Sequence, residues 1–254
     1  MDKIIYEQPL NERVRTFLRL ELLFDQVAYH LRGQSAFESR VTINHLIDIL
    51  SFFNRTELKS EVTKELERHA TILSRLEKSP DVDQEQLGHI LNKIDPLIDK
   101  LHATTGLLGQ NLKKNDFLNG LRQRNSIAGG SCSFDLPVYH YWLSRPAEQR
   151  IHDLSKWLAE FDTIGTAIHL ILNLIRDSAR PGKEIALEGV FHKSLDPNLP
   201  CQMIRVGMNA EDAFFPEISA GKHRFSVRFL RAGISERATQ IQNEVAFELT
   251  TCVI

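Results

Sequence analysis

The sequence predicts an α+β protein, with an all-helical N-terminal domain followed by a small, mostly antiparallel β domain. Two observations carry this. From Val14 to Ile175 apolar residues return at steps of three and four, the spacing of one helical face. After Ala179-Arg180-Pro181-Gly182, a run that stops a helix, the spacing changes to alternation, which suits half-buried strands. The boundary is therefore drawn as 1–178 for the helical domain and 179–254 for the strands.

The helices follow in order. Asn11 is an acceptable start for the first, whose inner face is Val14, Phe17, Leu20, Phe24, Val27 and Leu31. Arg15 and Arg19 stand four apart on another face, where like charges repel by roughly 0.2–0.5 kcal/mol. A second helix spans 36–53, and Arg55 closes it with a cation suited to the helix C-terminal dipole. Thr56 can cap a third, with Leu58, Val62, Leu66, His69 or Ala70, Leu73 and Leu76 inside, and Ser79-Pro80 ends it. Asp83 with Gln86 resembles a capping box for a fourth, in which Pro96 predicts a kink. The third and fourth read as an antiparallel hairpin, either core or a projecting arm.

A short helix from about Asp116 leads into Arg122 to Trp142. There Gly129-Gly130 interrupts helical dihedrals, Asp135 fits an N-cap, and Pro137 suits a first turn carrying Tyr139, His140, Tyr141 and Trp142. Ser144 and Pro146 begin another helix. Thr163 to Asp177 then shows almost no polar face and is placed at the centre of the bundle, with His169 and Asn173 as hydrogen-bonded core residues.

In the second half, Glu184–Phe191, Cys201–Met208, Phe225–Leu230 and Glu244–Leu249 read as strands. The run Lys222–Phe229 is the most informative. Phe225, Val227 and Phe229 point one way, while Lys222, Arg224, Ser226 and Arg228 point the other. The cations of that row, Lys222, Arg224 and Arg228, are more concentrated than solubility requires, and an anion-binding role is one reading of them.

Composition narrows the function classes. With 254 residues, 42% apolar, 25% charged and a net charge of −2, the chain is an ordinary globular protein. Nothing global calls for nucleic acid. Cys132, Cys201 and Cys252 are far apart, so neither a disulfide framework nor a zinc site is expected. The N-terminal residues do not read as a signal peptide, and no run approaches the roughly 18 apolar residues of a membrane span. A cytoplasmic chain is expected.

Catalytic patterns are missing. There is no phosphate loop, no GxGxxG after a strand and no HExxH. Gly129-Gly130-Ser131-Cys132-Ser133 fails the GxSxG pattern, and a Cys132–His140 nucleophile pair has nothing but proximity in sequence behind it. No catalytic residue, cofactor or metal is assigned. What remains is a basic inventory: Arg15, Arg19, Arg55, Arg122, Arg124, His140, Lys222, Arg224 and Arg228. Arginine forks suit carboxylates, and Phe134, Tyr139 and Trp142 could form an apolar floor beside them, a combination fitted to a short acidic peptide. The same cations would suit nucleic-acid phosphates, and scattered surface salt bridges are the plain alternative.

Three segments also carry a resemblance. Arg122-Gln123-Arg124, Ser126-Ile127, Gly129-Gly130, Cys132 to Pro137, His140 and Trp142 look like the signature of the ZapD family. So do Pro9-Leu10-Asn11-Glu12, Arg15-Thr16 and Leu18-Arg19, and near the C-terminus Pro216, Ile218-Ser219, Gly221, Arg224-Phe225 and Arg228-Phe229. ZapD proteins are cytoplasmic bacterial division factors that bind FtsZ and bundle its protofilaments at mid-cell. The resemblance implies a helical domain joined to a β domain, a homodimer, and a basic surface for the C-terminal tail of FtsZ. The matching motifs carry that surface onto Arg15, Arg19, Arg122, Arg124, His140, Arg224 and Arg228, with Arg55 in a less distinctive context. Family members can carry a further basic residue near position 116, where this chain has Asp116. A nucleic-acid-binding protein using the same face is the alternative.

Overall fold

The computed structural model describes residues 3–53, 57–76, 82–125, 127–221, 223–231, 233 and 237–254. Arg55, Thr56, Ser79, Pro80 and Lys222, all used in the sequence reading, lie outside the described residues. Apart from one N-terminal strand, helices precede an antiparallel β region, the α+β class that the sequence predicts. The chain forms two compact units, Leu18–Ile171, and Met1–Phe17 together with Leu172–Ile254.

Nine α-helices are described. They are α1 (Glu12–His30), α2 (Ala36–Phe52), α3 (Glu57–Leu76), α4 (Gln84–Ala103), α5 (Gln110–Lys113), α6 (Asp116–Arg124), α7 (Pro137–Leu143), α8 (Ala147–Leu158) and α9 (Asp162–Asp177). Several starts are fixed by side-chain caps. The Asn11 side chain accepts from the Val14 amide at 2.9 Å, and Ser35 with Glu38 forms a reciprocal capping box on α2. Asp83 accepts from the amides of Glu85 and Gln86, both at 3.0 Å. Pro96 lies inside α4, which continues past it as one helix. Helices α3 and α4 pack chiefly on each other, burying Val62, Leu66, Leu87, Ile94 and Leu101. That is the arrangement of a self-contained hairpin rather than of two core helices.

Helix α9 departs from expectation. It is not apolar all round, because Asp162, Thr166 and Asn173 are exposed along one stripe while Ile164, Ile168, Ile171 and Ile175 are buried. Polar residues at four- and three-residue steps give it a solvent face. The stretch Ala147–Asp177 also contains an 18-residue window apolar enough, by length and composition, to cross a membrane, contrary to the sequence reading. Of that window 56% is buried within the protein, as in a core helix.

The β region holds two four-stranded sheets. Strands β1 (Lys3–Pro9), β2 (Gly182–Ala186), β4 (Cys201–Asn209) and β8 (Val245–Val253) run in the order β1-β4-β8-β2. Strands β3 (Val190–Ser194), β5 (Phe214–Ala220) and β6 (Arg224–Arg231) run β3-β6-β5, with β7 (Thr239–Gln240) also paired to β6. Their apolar faces share one core, including Ile204, Val206, Phe225, Val227, Phe229, Phe247 and Leu249. Burying each such side chain contributes roughly 1.5–3 kcal/mol.

The single strand expected over Glu184–Phe191 is instead broken by a tight turn that joins β2 of one sheet to β3 of the other. Glu188 (φ 50°) and Gly189 (φ 70°) both take the left-handed region, and Leu187 bridges Val190 around them. A Cβ on Gly189 would stand 2.2 Å from the Ile241 carbonyl oxygen, so only glycine fits. The sequence reading also left β1, β5 and β7 unassigned. β1 is anchored by charge as well as by its ladder. Glu7 accepts from Arg176 through both carboxylate oxygens, each at 2.9 Å, and from Arg205 at 3.0 Å.

His169 has a hydrogen-bonded role, though it is half-buried rather than deep in the core. Its Nδ1 lies 2.8 Å from the Gly165 carbonyl and its Nε2 lies 3.0 Å from Asp25. Both ring nitrogens face oxygens, and only the imidazolium can donate to both. Burial opposes that charge. The Asp25 and Gly165 hydrogen bonds, with the charges of Asp25 and Glu21, outweigh it and raise the pKa above the ordinary histidine value. A raised histidine stabilises the fold below its unfolded pKa, and the contribution is lost as pH rises through the folded value. Asp25→Asn is therefore expected to destabilise more at pH 5.5 than at pH 8.5 in urea denaturation. Equal costs at both pH values would contradict this pairing.

Candidate functional site

The predicted cations fall into separate groups. In the helical unit, Arg122 and Arg124 occupy the last turn of α6, and His140 sits on α7, which packs against α6. The start of α6 is fixed by Asn115, whose side chain accepts from the Leu118 amide at 3.2 Å. Between α6 and α7 the chain turns through Gly129 at φ 72°, and a Cβ on Gly130 would meet the Arg124 carbonyl at 2.6 Å. The double glycine therefore shapes the turn after α6, which has already ended at Arg124 with Asn125 as its C-cap. Asp135 does not cap α7. Leu136 holds the N-cap position without a side-chain bond, Pro137 opens the helix, and Asp135 pairs with Arg124 at 3.6 Å.

Helix α7 is held from below by a buried arginine that sequence reasoning missed. Arg150 donates to the Leu143 carbonyl at the end of α7 (3.1 Å), to Gln34 O (2.7 Å), to Ser39 Oγ (3.0 Å) and to Arg145 O. It is 5% exposed. Beside it, Tyr139, Trp142, Phe117 and Trp157 form an aromatic cluster, and Arg40 lies over the Tyr139 ring at 5.1 Å. Burial pushes the Tyr139 hydroxyl up to about 12, although the Arg40 charge opposes the shift. Tyr139 and Trp142 are therefore packing residues and not the apolar floor expected of them. Exposed apolar side chains in this region include Ile127, Phe134, Val138 and Tyr141.

The availability of each cation differs. Arg19, Arg122 and His140 are exposed and hold no ion pair or side-chain hydrogen bond among the described residues. Arg122 lies close enough to Lys113 to reinforce, through like charge, the lowering of the lysine pKa that burial begins. Arg15, on the preceding turn of α1 from Arg19, is half-buried with its Nε 3.3 Å from Glu12. In the β unit, Phe225, Val227 and Phe229 are buried while Arg224 and Arg228 are exposed on the opposite face of β6, as alternation predicted. The two arginines stand four positions apart along the strand, a rise of about 13 Å. Arg228 faces Glu217 of β5 at 4.0 Å, whereas Arg224 has no such partner among the described residues. The structure thus brings together Arg122, Arg124 and His140 in one unit, and Arg224 with Arg228 in the other.

No hydrogen bond joins the Cys132 thiol to His140 among the described residues. Burial pushes the Cys201 thiol to about 11 and that of Cys252 to about 12, which suppresses their thiolates. Among the described residues no three His, Cys, Asp or Glu side chains gather as metal ligands.

The ZapD family profile, described as a cell division protein, matches residues 18–228. A cell division protein ZapD from Methylococcus capsulatus is 40% identical over 253 residues, covering 100% of this chain and 99% of that protein. Proteins of the same name from Coxiella burnetii and Azoarcus sp. are each 37% identical, over 99% of this chain and 98% and 100% of theirs.

If Arg150 positions α7, Arg150→Met should remove the donor from four acceptors, two of them in buried hydrogen bonds, and cost about 3 kcal/mol or more in urea denaturation. A variant as stable as the wild type would remove Arg150 from that role.

Proposed function

Because this chain belongs to the ZapD family of cell division proteins, we propose that it binds the C-terminal tail of FtsZ and cross-links FtsZ protofilaments. It acts as a homodimer without catalysing a reaction, in the cytoplasm at the mid-cell division site, and so promotes Z-ring assembly during septation. The observation that carries this reading is the exposed arginine row of β6, set on a strand whose other face buries Phe225, Val227 and Phe229. Arg224 has no ion-pair or side-chain hydrogen-bond partner among the described residues, so its charge is available to a partner. Arg122, Arg124 and His140, with Arg15 and Arg19, provide the remaining tail contacts, and Arg55 and Lys222 belong to the same set by sequence.

A tail rich in carboxylates would meet guanidinium forks that can donate two hydrogen bonds at once. Each exposed contact is weak. A dimer with one tail site per subunit engages two filaments, and the closely spaced tails of a polymer raise the effective concentration of sites. Capture through exposed charge weakens as salt rises.

The test is sedimentation of FtsZ with GTP, comparing wild type with Arg224→Glu/Arg228→Glu, and circular dichroism to confirm folding. Wild type should pellet bundles, and the folded variant should lose most of that pelleting. Equal pelleting would make the row a solvated face. Displacement of a tail peptide by duplex DNA at near-equal affinity would instead favour a nucleic-acid-binding protein.

A further inference from the structure

The outer face of the β3-β6-β5 sheet holds more than arginines. Register places His192, Ser226 and Ser219 side by side across the three strands, with Ser194 opposite Arg224 in the next row. Directly paired residues of an antiparallel sheet project from the same face, and neighbouring strands lie about 4.8 Å apart. Three hydroxyls, an imidazole and a guanidinium therefore converge over a floor about 10 Å wide. They line a solvent-open depression of about 740 Å³.

None of these five side chains has a hydrogen-bond or ion-pair partner among the described residues. Their neighbours do. Lys193 is tied to Glu184 at 3.1 Å, and Arg228 faces Glu217 at 4.0 Å. Glu217 is also the carboxylate that register brings onto this face, and Arg228 offsets it. Ser226 in the middle of its row keeps the floor low beside Arg224, so a ligand can reach several donors together. A hydroxyl can rotate to donate, and a guanidinium can grip both oxygens of one carboxylate.

We propose that this depression is a carboxylate-binding subsite, in which Arg224 supplies charge and Ser219, Ser226, Ser194 and His192 supply hydrogen bonds. The assignment rests on the tail-binding reading and adds residues that set specificity beyond charge. The carboxylate is either the free C-terminus of the tail or an acidic side chain within it.

The experiment is fluorescence anisotropy with labelled FtsZ tail peptide, as free acid and as C-terminal amide, at several salt concentrations. It compares full-length wild type, Ser219→Ala/Ser226→Ala and Arg224→Gln. The serine variant removes no charge. It should bind the free-acid peptide about tenfold more weakly with an unchanged salt dependence, whereas Arg224→Gln should weaken both affinity and salt dependence. Amide binding that is weak in wild type and indifferent to the serine changes identifies the terminal carboxylate. Amide binding equal to that of the free acid, and equally reduced in the serine variant, identifies a side chain. If the serine variant binds like wild type while Arg224→Gln does not, the subsite is overturned and the tail reading stands. If wild type binds neither peptide, both fall. Inorganic phosphate that competes more than tenfold better than acetate would overturn the choice of carboxylate.

Discussion

Arg150 carries a full charge in a site that is almost closed to water, and only oxygens of the helical unit receive it. An isolated buried guanidinium would cost several kcal/mol, so the four acceptors must be held where they are. One is the last turn of α7, another the loop before α2, and a third the body of α2. The constraint fixes α7 against α2 and α8. It places the indole of Trp142 where its nitrogen donates to Asp153 at 3.0 Å, and it turns His140, Val138 and Tyr141 outward. The exposed face of this corner is thus a consequence of a buried polar network, not of the surface residues themselves.

The β unit reaches its exposed cations by a different route. Alternation on β6 delivers Phe225, Val227 and Phe229 to the core and leaves Arg224, Ser226 and Arg228 outside. A one-residue slip would reverse both sets, so burial of the phenylalanines enforces the register of the arginines. The Glu188-Gly189 turn and the Glu7 pairing with Arg176 and Arg205 fix the strands around them.

Much of this was legible in the sequence, and the reasons for the rest are physical. Val14, Phe17 and Leu20 announced α1, Gly129-Gly130 the break after α6, and Phe225-Ser226-Val227 the facing of β6. β1 was not legible because Ile4, Ile5 and Tyr6 are too short a run to declare a strand. Its ladder partner, β4, lies nearly two hundred residues away. β5 carries Pro216 and was left unassigned, yet it is an edge strand, where a missing amide donor is tolerated. The turn at Glu188-Gly189 lacks the Asn-Gly or Asp-Gly pair that usually marks a tight turn between strands. Among the candidate site residues, the β6 arginines followed from period alone. The burial of Tyr139 and Trp142 depended on Phe117 and Trp157, which the local pattern of α7 does not mention. The meeting of Ser219 and His192 beside Ser226 is a matter of register, and Arg150 reads in the sequence as one more helix-surface cation.

A protein of this family that works through exposed basic residues should depend on an acidic, flexible partner segment more than on a folded surface. The most direct measurement is therefore co-sedimentation of the wild-type chain with GTP-assembled FtsZ, intact or lacking its C-terminal tail. The account predicts that the chain pellets with intact filaments and stays in the supernatant with tail-less ones. Equal pelleting with both would contradict it, because the contact would then lie on the folded body of FtsZ.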